Sequence, residues 1–198
     1  MTQNEWPARL ARTIAKEVQR RRNARGMSAQ ELANACEALG VPLSRSAIAN
    51  FESGRRPSIS VAELLVFARA LDVPPALLVF PLGIEEEVEV PPGETIDTWE
   101  AVRWFGGDHV KGLSADADAT IVEDYRWHDD LVQRWRSTQE ELNRLILIGG
   151  PENDELIAAN NRLLGAIRQN LMAGRKRMRS DGMKLPKLPA ALADPDAE

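Results

Sequence analysis

Ser28-Ala29-Gln30-Glu31-Leu32-Ala33, then Gly40-Val41, then Ser44-Arg45-Ser46-Ala47-Ile48-Ala49-Asn50-Phe51-Glu52-Ser53-Gly54-Arg55-Arg56-Pro57 encode two short helices joined by a turn. Ser28 and Glu31 stand in capping-box relation, so the serine hydroxyl can accept from the Glu31 amide while the glutamate reaches back. The first of the two helices is expected to bury Leu32, Ala35, Cys36 and Leu39 and to stop at Gly40. Val41-Pro42-Leu43 forms the turn, since proline disfavours a helical residue before it, and Ser44 can cap the second helix, expected over 44–53 with Ile48 and Phe51 inward.

Outward from this pair the punctuation continues. Leu10, Ile14 and Val18 recur at spacing four over a helix expected from Ala8 to Arg25, and Gly26 ends it. Arg9, Arg12, Arg20 and Arg21 read as its solvated face. A second capping-box sequence, Ser60 to Glu63, opens a helix expected to bury Leu64, Leu65, Phe67, Ala68 and Leu71, and Pro74-Pro75 precede a last apolar turn, Ala76 to Phe80. Residues 1–83 therefore predict a five-helix domain. Residues 84–114, with Glu85, Glu86, Glu87 and Pro91-Pro92-Gly93, predict a linker whose Trp99, Trp104 and Phe105 dock onto a neighbouring domain. From 115 to 181 two apolar stripes interrupted by Gly149-Gly150-Pro151 predict an antiparallel helical hairpin. The Pro-, Ala- and Asp-containing tail 182–198 predicts disorder. The expected class is all-α, with no strand.

The order of helices, the sharp turn and the basic, polar third helix resemble the Cro/C1-type (XRE) helix-turn-helix family of bacterial and phage repressors. Ala29 departs from the family pattern, which usually has Gln there, and the turn up to Ser44 is longer than usual. The resemblance implies double-stranded DNA as partner, read in the major groove by helix 44–53. Arg45, Ser46, Ala47 and Asn50 would face the bases, because arginine pairs bidentately with guanine and asparagine with adenine. Ser28, Gln30, Arg55 and Arg56 would meet backbone phosphate, which sets register rather than sequence, and the capping Ser44 is counted with the DNA-binding residues. Glu52, a carboxylate that phosphate would repel, reads as a structural acceptor.

Charge divides along the same seam. Residues 1–83 carry 11 Lys+Arg against 7 Asp+Glu, net +4, whereas the remainder carries 14 against 23, net −9. Different partners follow. The hairpin residues Trp127, Leu131, Trp135, Leu142, Leu145, Leu163, Ile167 and Leu171 are expected to form its core or a homodimer interface, since the resemblance implies paired half-sites. The alternative is an antitoxin-like or anti-regulator protein whose acidic C-terminal half captures a protein partner or small ligand. The basic run Arg175, Lys176, Arg177 and Arg179 favours the helix dipole and is also within the repertoire of phosphate contacts.

Several classes are excluded. One cysteine, Cys36, and two histidines, His109 and His128, supply neither a disulfide nor a Cys/His zinc set. Asp116, Asp118, Glu123, Asp124, Asp129 and Asp130 read as an acidic helix start and solvated face rather than a metal site. No nucleophile elbow, phosphate loop or metalloprotease motif occurs, so no enzyme activity and no cofactor are expected. With no apolar run near the roughly 18 residues of a membrane span and no signal-peptide core, a cytoplasmic protein of bacterial or phage origin is expected.

Overall fold

The structure, a computed structural model, describes residues 5–110 and 119–193. It is mostly helical and comprises two compact units, Met1–Ser114 and Ala115–Glu198.

The first unit opens with α1 (Trp6–Ala24), α2 (Ala29–Ala38), α3 (Arg45–Glu52), α4 (Val61–Ala70) and α5 (Ala76–Val79). Their starts follow the serines. Ser28 Oγ accepts from Glu31 N at 3.2 Å while Ser28 N donates to Glu31 Oε2 at 2.7 Å; Ser60 and Glu63 repeat the arrangement, and Ser44 Oγ accepts from Ala47 N at 3.1 Å. Each cap satisfies an amide that the helix start leaves without a partner. Gly40 (φ 84°) and Gly54 (φ 75°) sit in the left-handed region after α2 and α3, where a Cβ would be strained.

The core of this unit gathers Ile14, Val18, Leu32, Cys36, Ile48, Phe51, Phe67, Leu71 and Leu78, with the Phe51 and Phe67 rings stacked at 5.9 Å. Two leucines depart from expectation. Leu39 and Leu65 are exposed, while Ala33 and Val66 are buried. Gly40 closes α2 so early that Leu39 lies at the cap, past the buried turn; on α4 the inward face is centred on Val66-Phe67-Ala68, one position from the choice between neighbouring apolar residues made by periodicity. Cys36 is fully buried, and burial pushes its thiol up to about 11. It is expected to resist Ellman's reagent at pH 8 in the native protein and to react fully once guanidinium unfolds the chain; fast labelling of native protein would contradict this packing.

The segment expected as a linker is folded. Glu87–Glu89 (β1) and Thr95–Asp97 (β2) pair antiparallel, Val88 opposite Ile96, around a turn that contains Pro91-Pro92-Gly93. Thr98–Phe105 (α6) follows at once, capped by Asp97, whose Oδ1 accepts from Trp99 N and Glu100 N. Val90 and Ala101 enter the helical core, Arg9 pairs with Glu89 at 2.5 Å, and Trp6 Nε1 donates to Glu89 O. Among the aromatics, Trp104 packs on the core and Phe105 meets Phe80 edge-on at 5.6 Å, whereas Trp99 stays exposed. Strands of three residues give no period to read, which is why this hairpin and the expectation of no strand parted company.

The second unit is a helical hairpin, α7 (Ala119–Ile148) and α8 (Asp154–Ser180), turned at Gly149-Gly150 through a single 3₁₀ turn, Pro151–Asn153. Leu131, Leu142, Leu145, Ile167 and Leu171 are buried between the helices of one chain, and Trp127 and Trp135 pack beside them. Leu163 is instead half exposed and Leu164 buried, because the inward face of α8 runs Leu164, Ile167, Leu171, Gly174, Met178. The described part of the tail, 182–193, is not disordered. Leu192 is fully buried and Leu188 packs on the same cluster, Tyr125 Oη donates to Lys184 O, and Arg175 donates to Pro186 O at 2.8 Å. Residues 194–198 lie outside the described residues. No helix among the described residues is long and apolar enough to cross a membrane.

Candidate nucleic-acid interface

Local sequence fixes the start of α3, and tertiary contacts fix its orientation. Arg22 on α1 donates from Nε and Nη2 to the two carboxylate oxygens of Glu52, both at 2.7 Å, and from Nη1 to Met27 O at 2.6 Å. Glu52 is therefore turned inward and nearly buried, and the bidentate fork clamps the end of α3 to α1. The clamp also raises the Arg22 pKa, with the hydrogen bonds to Glu52 outweighing burial.

With Ile48, Phe51 and Glu52 inward, Ser44, Arg45, Ser46 and Asn50 are exposed together on the opposite face, with Ala47 half-buried among them. Ser44 and Ser46 share a hydrogen bond at 2.9 Å, and Arg55 reaches toward Asn50 Oδ1 at 3.4 Å, a separation too long to hold the amide firmly. Ser44, Ser46, Ala47, Asn50, Arg55, Arg56 and Pro57 line one open groove. Its edges are cationic. Arg45 and Arg55 have no ion-pair partner among the described residues, unlike Arg9, Arg20, Arg22 and Arg56.

Arg56 occupies a different environment from the one expected. Its Nη2 donates to Glu63 Oε2 at 2.5 Å, its Nε to Ser58 O at 2.9 Å, and its guanidinium lies over the Phe51 ring at 5.3 Å. Burial opposes ionisation of Glu63, yet the hydrogen bonds from Arg56 and Ser60 prevail and hold its carboxyl below the ordinary range. Arg56 thus lines the groove with its charge paired, whereas Arg55 has no ion-pair partner among the described residues. At the start of α2, Ser28 and Glu31 satisfy each other and Gln30 Nε2 donates to Asn34 Oδ1, so this end presents hydroxyl and amide groups with its positive dipole already met by a carboxylate.

Arg12, exposed as expected of the solvated face of α1, lies close to this site. The aliphatic stem of Arg12 runs alongside Gly54, within 3.8–3.9 Å of where a Cβ would stand, which brings this exposed side chain beside the turn that carries Arg55. Nothing local in the sequence signals it, because the juxtaposition depends on how α1 packs on α3.

Residues 13–79 match the family model described as "Helix-turn-helix domain". Comparison with curated proteins and comparison with solved structures each gave no match. The matched span runs from within α1 to the end of α5 and includes all three serine-capped helices, the turn and the exposed face of α3. A chain carrying this element is, in general terms, a DNA-binding regulator. Residues 13–79 therefore form a helix-turn-helix domain.

Proposed function

We propose that the protein is a sequence-specific transcriptional regulator that reads the major groove with α3 as a homodimer, acting most simply as a repressor that occludes a promoter, with no catalytic role. The observation that carries this reading is the sorting of charge on α3: the carboxylate is locked inward on Arg22, and the exposed face combines Arg45, Ser46 and Asn50 with Arg55 beside them, neither arginine having an ion-pair partner among the described residues. A helix so furnished fits the groove and matches base edges.

The homodimer is supported by apolar side chains that the hairpin leaves uncovered, Ile146, Leu147, Ile148, Leu156 and Leu163. Most of the leucines first considered for an interface are spent inside one hairpin, so a second copy would cover this exposed group instead. Selection of bound sites from a random duplex library by the full-length protein tests the whole reading. An inverted repeat with half-site centres about 10 bp apart is expected. Failure to enrich any sequence, with a monomer by light scattering, would favour the alternative in which the same apolar group holds a different protein.

Two arginines should separate by role. Arg45→Ala is expected to relax preference at one position per half-site by about 1–3 kcal/mol, whereas Arg55→Ala should weaken all duplexes alike and reduce the salt slope by about 1. Binding isotherms over a salt series on matched and scrambled sites check both, and unchanged specificity in Arg45→Ala would remove α3 from the bases.

A further inference from the structure

In the second unit, Arg175, Lys176 and Arg179 of α8 and Lys187 of the tail line one open cavity of about 570 Å³, and among the described residues no carboxylate lines it. Lys176, Arg179 and Lys187 have no ion-pair partner among the described residues. Arg175 is partly buried, and both of its acceptors are neutral: Pro186 O at 2.8 Å and His128 Nε2 at 2.7 Å. Because an arginine can only donate, His128 Nε2 accepts and its proton sits on Nδ1, facing Asp129 Oδ1 at 3.3 Å on the far side of the ring. The nearest carboxylate in that chain of contacts is thus beyond the imidazole.

Cations at a helix C-terminus often answer the dipole alone. That account does not extend to this group. Lys187 comes from a separate segment that the buried Leu192 and the Pro186 carbonyl hold in place, and Arg175 lies more than a turn inside the helix. By contrast Arg177, in the same last turn, leaves the cavity to pair with Asp124 and to lie over Trp127. Four like charges converging on one space repel one another unless an anion joins them. Burial and the Arg179 charge indeed hold the Arg175 pKa below its usual value.

We propose that Arg175, Lys176, Arg179 and Lys187 form a phosphate-binding site in the second unit, for either a phosphate of the DNA backbone or the phosphate groups of a small phosphorylated ligand. A fixed guanidinium surrounded by mobile ammonium and guanidinium groups suits several phosphate oxygens at once.

The test uses the full chain and a double variant, Arg179→Gln with Lys187→Gln, both being exposed side chains whose loss relieves repulsion and should not lower the Tm. Inorganic pyrophosphate is titrated calorimetrically at low salt, and the salt dependence of duplex binding is measured in parallel. Saturable pyrophosphate binding that weakens about tenfold or more in the double variant is expected, as for loss of charge-assisted hydrogen bonds. If the variant also lowers the duplex salt slope by about 2, the phosphate belongs to DNA. An unchanged slope beside lost pyrophosphate binding assigns the site to a small ligand, and a lowered slope without pyrophosphate binding assigns it to DNA alone. Pyrophosphate binding absent or insensitive to the substitutions, together with an unchanged slope, overturns the site. The calorimetric result stands apart from the reading of α3, whose own test is Arg45→Ala.

Discussion

Glu52→Ala should lower the stability of the first unit by about 3–5 kcal/mol, the cost of leaving one member of a buried ion pair without its partner. The pair is well enclosed: the side chains of Arg22 and Glu52 are 12% and 5% exposed, and the fork makes two bonds of 2.7 Å. Removing Glu52 leaves the Arg22 charge with only the Met27 carbonyl, and the end of α3 is then held against α1 by apolar packing alone. DNA binding should be lost at temperatures where the wild type still binds, because the exposed face of α3 is aimed by this clamp. The double replacement Arg22→Met with Glu52→Leu should recover most of the stability, since an apolar pair of similar volume needs no desolvation to be offset. Thermal and urea unfolding of the three proteins decide the matter. A loss under 1 kcal/mol in Glu52→Ala would mean that solvent already reaches the pair.

Gly174→Ala is the corresponding lesion in the second unit. A Cβ at this position would stand 2.0 Å from Trp127 Cζ3 and 2.2 Å from Cη2, far inside any real contact. The indole cannot step aside without leaving the cluster of Leu131, Val132, Ile167 and Leu171 and the Arg177 guanidinium above it. Overpacking of this kind costs about 1–3 kcal/mol, and here it outweighs the gain of up to about 1 kcal/mol that alanine brings to a helix interior. Gly165 is the internal control. It lies in the same helix with nothing within 4 Å of its would-be Cβ, so Gly165→Ala should stabilise the hairpin by about 0.5–1 kcal/mol. The Tm should move in opposite directions for the two variants, and near-UV circular dichroism, sensitive to Trp127, should change only in Gly174→Ala. If both raise the Tm, the indole does not rest on Gly174.

Gly174 also shows where sequence reading stops. A glycine within an otherwise apolar stripe carries no sign of what lies against it, and Trp127 was legible only as one apolar residue at helical spacing. The same holds for Leu163 and Leu164, adjacent leucines between which periodicity has no means to choose, and for Arg55 and Arg56, adjacent arginines of which one is open and the other held by Glu63, Ser58 and Phe51.

The sequence by itself determined what depends on nearest neighbours along the chain. Serine caps at Ser28, Ser44 and Ser60, glycine stops at Gly40 and Gly54 and apolar spacing placed the five N-terminal helices, the turn and the hairpin, because a cap or a stop acts within about one helical turn. Tertiary structure alone decided which charges are free. The inward lock of Glu52 on Arg22 and the approach of Arg12 to Gly54 join residues far apart in sequence, while the capture of Arg56 by Glu63 and the convergence of Lys187 on Arg175 each bring side chains of different segments together. It also decided that 84–110 and 182–193 fold at all. Neither segment has a period long enough to read, and their order comes from single side chains, Val90, Ala101, Leu188 and Leu192, that become buried only once a helical surface exists to receive them.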